Sequence, residues 1–269
     1  MGYELVVAEA AKGAHSSNPD AIDLTMRGWA LLNGPPKKED YPVARGYFVR
    51  ALDLDARNAE AAAGLAYVDL RTFLYGWTAG DREEITTGAL NLLAKATAIN
   101  PNYAFAYYLK SLALFAAKRH ADAVEASQMA IKINPNLAFG YFGIGQAEWP
   151  LGRCEQAIAH VNEAFKISPR DPSIGLWYFN IANAEFCLGR YDVAIEGYKR
   201  AVANNYRLYL PYAYWAAAAA MKGDDAEAKW ALGEAKGGAP DLTIKWLKAR
   251  TPVTEFVVQG LQKAGLAEE

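Results

Sequence analysis

Cysteine is almost missing: Cys154 and Cys187 are the only two in 269 residues. A disulfide-scaffolded fold is thereby excluded, and two free thiols suit a reducing compartment. Histidine is scarce as well. His15, His120 and His160 stand far apart, and the chain has no HxxxH or CxxC pairing, so no metal site is expected. Neither cysteine has a neighbouring histidine to activate it. Charge of one sign is lacking too, since 28 Lys+Arg against 30 Asp+Glu leave −2, without the clustered basic excess of a nucleic-acid binder. There is no long apolar run. Pro211 to Met221 is mostly alanine and falls short of the ~20 residues that span a bilayer. Met1 to Ala14 carries Glu4 and Glu9 within its apolar stretch and does not read as a signal peptide. Finally, Gly34-Pro35-Pro36-Lys37-Lys38 has neither the spacing nor the strand context of a phosphate loop. These absences together predict a cytoplasmic, non-catalytic chain with no cofactor, no membrane span and no nucleic-acid partner.

What is present is alanine, placed periodically. Six pairs stand seven residues apart: Ala44/Ala51, Ala89/Ala96, Ala123/Ala130, Ala157/Ala164, Ala194/Ala201 and Ala228/Ala235. The second members follow one another at intervals of 45, 34, 34, 37 and 34. Seven residues are two helical turns, so each pair puts two small side chains on one helix face, where a neighbouring helix can approach closely. Upstream of each pair lies a third small residue: Gly28, Ala66, Ser111, Gly145, Ala182 and Ala216. In the last four units it precedes the pair by twelve residues, a constant helix–turn–helix length. Pro101, Pro135, Pro169 and Pro240 fall five residues after the second alanine and stop the second helix there.

This pattern resembles the tetratricopeptide repeat (TPR) family, whose period is 34 residues. The best unit runs from Ala138 to Asp171, and LGRYDVAIEGYKRA within the next is close behind. The resemblance implies an all-α fold, a right-handed α-solenoid superhelix of about six TPR-like helix pairs with capping helices at both ends. The expected organisation is one continuous structural domain: an N-terminal capping helix in 1–17, the solenoid in 18–241 and C-terminal capping helices in 242–269. Departures from the repeat are local. Asn33 to Asp40 adds a protruding Gly-Pro-Pro loop to the first unit. In the second unit the first helix is expected to run past Arg71, followed by a loop through Gly80 and a helix capped by Asp81. The Phe73-Leu74-Tyr75-Gly76-Trp77 insert either packs on a neighbouring repeat or forms a binding loop.

In such stacks the first helix of each pair lines the concave face. The groove-facing positions of the family then select Tyr67 from the second unit and Phe105, Tyr108 and Phe115 from the third. Phe139, Phe142, Gln146 and Trp149 follow from the fourth, and Phe179, Asn183 and Phe186 from the fifth. Only Gln146 and Asn183 are polar, and an apolar wall of that extent exceeds what monomers leave uncovered. The cover is a peptide or protein segment, a small apolar molecule, a second copy of the chain, or the chain's own terminal segment. Family members that clamp acidic peptide C-termini use groove lysines with asparagines. Asn180 and Asn183 are similar to the latter, but the lysines are missing.

A narrower resemblance rests on Asn18-Pro19-Asp20-Ala21-Ile22-Asp23-Leu24, Arg27-Gly28-Trp29-Ala30-Leu31-Leu32-Asn33 and the ending Gly260-Leu261-Gln262-Lys263-Ala264-Gly265-Leu266. These phrases are similar to the TPR region that follows class III adenylate/guanylate cyclase domains in bacteria. The cyclase catalytic region itself is absent from this sequence. The resemblance implies an interaction and regulatory module associated with a cyclase or similar signalling protein, with the aromatic wall holding a partner segment. Two alternatives stay open: a small-molecule sensor with an enclosed pocket on the same wall, and a homodimerisation scaffold.

Overall fold

The computed structural model describes residues 18–269; the capping helix expected in 1–17, and His15, lie outside the described residues. Fourteen α-helices are present among the described residues, with no strand. They form six consecutive hairpins: α1 (Pro19–Leu31) with α2 (Asp40–Leu54), α3 (Ala59–Leu74) with α4 (Arg82–Ile99), and α5 (Ala104–Ala116) with α6 (His120–Ile133). Then come α7 (Ala138–Glu148) with α8 (Cys154–Ile167), α9 (Ile174–Cys187) with α10 (Tyr191–Ala203), and α11 (Tyr209–Lys222) with α12 (Asp225–Gly238). Two shorter helices follow, α13 (Ile244–Arg250) and α14 (Glu255–Lys263).

The helix ends obey local chemistry. The Asn18 side chain accepts hydrogen bonds from the amides of Asp20 and Ala21 at the start of α1. The Asp81 carboxylate accepts from the Glu84 amide at the start of α4, as its position in the sequence requires. Asn58 caps α3 through the Ala61 amide at 2.8 Å while its Nδ2 donates to Thr25 Oγ1 at 3.0 Å, so one residue starts a helix and ties it to α1. Helices α4, α6, α8 and α12 each end two residues before Pro101, Pro135, Pro169 and Pro240.

Packing explains the alanine period. All twelve paired alanines are buried, and the small residue opposite them lets backbones meet. A Cβ added at Gly145 would sit 2.7 Å from the Ala157 carbonyl oxygen, so α7 and α8 cross at a distance that only glycine permits there.

The stack closes on itself. The Tyr209 hydroxyl at the start of α11 donates to the Leu74 carbonyl at the end of α3, 2.9 Å away across 135 residues. The second-unit insert reaches the C-terminal helices: Trp246 of α13 packs over Gly76, which adopts φ +73°. The Arg250 guanidinium lies 4.1 Å from the Trp246 ring centre and 5.8 Å from that of Phe73. Helix α14 runs along α11, where Gly260 faces Ala217 with no room for a Cβ. Between the expected alternatives for the insert, its aromatics pack: Tyr75 and Trp77 meet Tyr41 edge-on at 6.0 and 5.1 Å.

The expectation of two free thiols is corrected. Cys154 and Cys187 form a disulfide, with Cα atoms 6.3 Å apart. Their separation of 33 residues is close to one repeat, so stacking brings the first residue of α8 beside the last residue of α9. The case for a reducing compartment drawn from free thiols therefore lapses. Among the described residues no helix is long and apolar enough to cross a membrane.

Candidate ligand- and partner-binding site

The first helices of the hairpins do line the inner side, but the wall is not open. Phe105, Tyr108, Phe115, Phe139, Phe142, Gln146, Trp149, Phe179, Asn183 and Phe186 are all buried, and only Tyr67 is half-exposed. Of the four covers the sequence allows, the chain's own terminal segment is the one observed. Phe256 of α14 lies 6.3 Å from Trp149 and 5.2 Å from Phe186, edge-on to both rings. This part of the wall is therefore covered by the chain itself. The physical reason is long-range: hairpin rotation brings α11 round to α3, and the last two helices drop into the remaining gap.

Two adjoining chambers survive inside. Tyr67, Phe105, Tyr108 and Phe139 line the first, together with Trp29, Tyr41, Arg71, Tyr75 and Tyr206. Its interior and the open solvent of its mouth together span about 670 Å³, and the Asn33 to Pro36 loop and Asn204-Asn205 form the rim. Phe115, Gln146, Trp149, Phe179 and Asn183 line the second, of about 500 Å³, with Pro252 of the segment joining α13 to α14 at its edge. Arg71, Tyr75, Leu176 and Tyr206 are common to both. Two expected groove residues line neither chamber. Phe142 is fully buried and stacks on Trp177 at 6.2 Å, while Phe186 lies beneath Phe256. Asn183 and Asn180 are engaged internally: Asn183 Oδ1 accepts from the Tyr198 hydroxyl at 3.0 Å, and Asn180 Nδ2 donates to the Leu176 carbonyl.

The most unusual lining residue is Arg71, which is not among the groove positions read from the sequence, Tyr67 being the one residue selected from its helix. Tyr67, Arg71 and Tyr75 follow at four-residue steps on α3 and its C-terminal turn, hence on one face, and that register was the available signal. Only 4% of Arg71 is exposed. Its guanidinium carbon stands 5.3 and 5.7 Å from the ring centres of Tyr67 and Tyr75. One Nη donates to the Tyr108 hydroxyl at 3.3 Å, and Nε has no acceptor. No carboxylate of the described residues forms an ion pair with it. Burial opposes its charge, whereas Tyr75, Tyr67, Tyr108 and Tyr41 favour it, and the balance lies well above the ordinary arginine value. Burial also pushes the Tyr75 hydroxyl up to about 12 and those of Tyr41, Tyr108 and Tyr206 upward. The chamber at neutral pH is therefore a cage of neutral phenols around one cation. The carboxylate of Asp171, also on the lining, accepts from the Ser173 amide at 2.9 Å and the Ser168 hydroxyl at 3.3 Å.

Elsewhere His160 of α8 meets the buried Glu148 at 2.7 Å. The hydrogen bond to Glu148 raises the imidazole above its ordinary value of 6.5, against a lowering by burial. Because the folded value is the higher one, this contact stabilises fully below about pH 6.5 and fades as pH rises through the raised value. Melting temperatures of the wild type should fall as pH rises above about 6.5, and those of His160→Gln should show a weaker dependence over the same range. Parallel curves would contradict the linkage. No cluster of three or more His, Cys, Asp or Glu side chains suited to a metal ion occurs among the described residues.

A tetratricopeptide repeat family model matches residues 78–138 and 142–207. No curated protein matches the sequence. Among solved structures, the chain is similar to one in the APC/C hetero-tetramer Cut9–Hcn1, with TM-score 0.68 and 15% identity, covering 98% of this chain and 46% of that one. It thus spans about half of that relative's length. A tetratricopeptide repeat protein from Parabacteroides merdae gives TM-score 0.60 at 16% identity, covering 97% of this chain and 90% of that one. A thermophilic TPR protein of Thermus thermophilus gives TM-score 0.56 at 21% identity, with 74% and 96% covered. The fold is accordingly a TPR superhelix.

Proposed function

We propose that this tetratricopeptide-repeat chain is a non-catalytic interaction and regulatory module serving a nucleotide cyclase or similar signalling protein. Its partner contributes a helical segment that competes with α14 for the inner wall. The observation that supports this is the seat of Phe256 against Trp149 and Phe186. A wall that accepts an amphipathic helix in cis through one aromatic anchor has the chemistry to accept a related helix in trans. The cover by α14 also removes the need for a second copy of the chain over this wall.

A labelled peptide of residues 252–266 serves as the trans probe. Fluorescence anisotropy should show it binding full-length Phe256→Ala at least about tenfold more tightly than the wild type, whose own helix holds the seat. Equal affinities, or no binding to either, would count against the competing-helix reading. The cyclase association predicts a class III catalytic region encoded in frame upstream or in an adjoining gene; a locus with neither would remove it.

A second role, small-molecule sensing, is favoured by the two chambers, which gather nine of the eleven wall residues read from the sequence.

A further inference from the structure

We propose that the Arg71 chamber binds a short organic monocarboxylate, held by the guanidinium and the surrounding phenols. This rests on the sensor reading and assigns its ligand chemistry. Three observations carry it.

The first is an unmet demand for acceptors. Arg71 is a buried cation whose Nε has no acceptor and whose guanidinium meets only neutral phenols. Trp149 Nε1, lining the adjoining chamber, is a second buried donor without a partner. Buried donors left so cost free energy that a bound acceptor recovers. The second is charge. Asp171, on the same lining, keeps its charge but is held by Ser173 and Ser168, and the Arg71 guanidinium forms no ion pair with a carboxylate of the described residues, so its positive charge is locally unpaired. A monoanion neutralises it, whereas a dianion such as phosphate would leave a buried negative charge uncompensated. The third is shape and wall. Trp29, Phe105 and Phe139 offer ring surface for an apolar tail, and the free interior has room for only a few waters before side chains move, which limits the ligand to a small one. A planar carboxylate also matches the guanidinium fork better than a tetrahedral anion does in so narrow a space.

Calorimetric titration of the full chain with propionate, benzoate, benzamide and inorganic phosphate tests this. Propionate or benzoate should bind saturably with one site per chain, benzamide should bind at least roughly tenfold more weakly, and phosphate not at all. Arg71→Met, which keeps the apolar stem, should weaken carboxylate binding by roughly tenfold or more. If that variant does not fold, Tyr108→Phe, which removes only a hydroxyl, should still weaken it about threefold or more. Binding of benzamide as tightly as benzoate, or of phosphate in preference to carboxylates, would overturn the monocarboxylate assignment while keeping the chamber as a sensor pocket. Unchanged carboxylate affinity in Arg71→Met, or in Tyr108→Phe where Arg71→Met does not fold, would overturn the site, and absence of binding by every probe would overturn both.

Discussion

Replacing Phe142 with alanine is expected to cost about 3–5 kcal/mol of folding stability, read from the midpoint of urea unfolding against the wild type. The ring is wholly buried, with Tyr108 at 6.3 Å and Trp177 at 6.2 Å between ring centres. Removing it leaves a cavity between α7 and its neighbours that close-packed helices refill only in part. Had Phe142 been a solvent-facing anchor awaiting a partner, the same change would alter stability by no more than about 0.5 kcal/mol. The size of the loss therefore separates a core role from a docking role. It also means that partner loss in a Phe142→Ala variant would report unfolding rather than recognition, so Phe256 is the better probe of the wall.

The second large effect concerns the Cys154–Cys187 disulfide. A cross-link closing a loop of 33 residues removes denatured-state freedom equivalent to about 3–4 kcal/mol in the chain-entropy account. Oxidised protein should yield no free thiol on titration in denaturant without reductant. Adding a reductant, or changing both residues to alanine, should lower the urea midpoint by the corresponding amount. Two titratable thiols in the untreated protein, with no response to reductant, would contradict the bridge.

The alanine pairs, the terminating prolines and Asp81 as a cap were legible because each acts within one or two turns of its own helix. Period and phase then fixed six hairpins, down to the prolonged first helix of the second unit. Covering the wall is a different kind of event. It depends on accumulated rotation across hairpins until Tyr209 reaches Leu74, and on Trp246 finding Gly76; no local pattern encodes either meeting. The free-thiol expectation failed for a related reason. Cys154 and Cys187 were judged by their sequence neighbours, although a spacing near one repeat already placed them on adjacent turns of the solenoid. Arg71 lies outside the family's groove-facing pattern, which selects Tyr67 alone from this helix, while the four-step register of Tyr67, Arg71 and Tyr75 turns a cation inward. Nine of the eleven wall residues still gather around the two chambers, because the inner face of a helical stack follows from the repeat even when its cover does not.

Hydroxyl-radical footprinting of the intact native chain tests most directly whether that inner face is closed by α13 and α14. Trp230, half of whose surface is exposed at 51%, supplies the internal standard for an open ring. Trp149, Phe179 and Phe186 should be modified far more slowly than Trp230, at rates typical of core residues. Modification of all three at rates comparable to Trp230 would mean that the aromatic wall stands open in solution, and would contradict the self-covered superhelix.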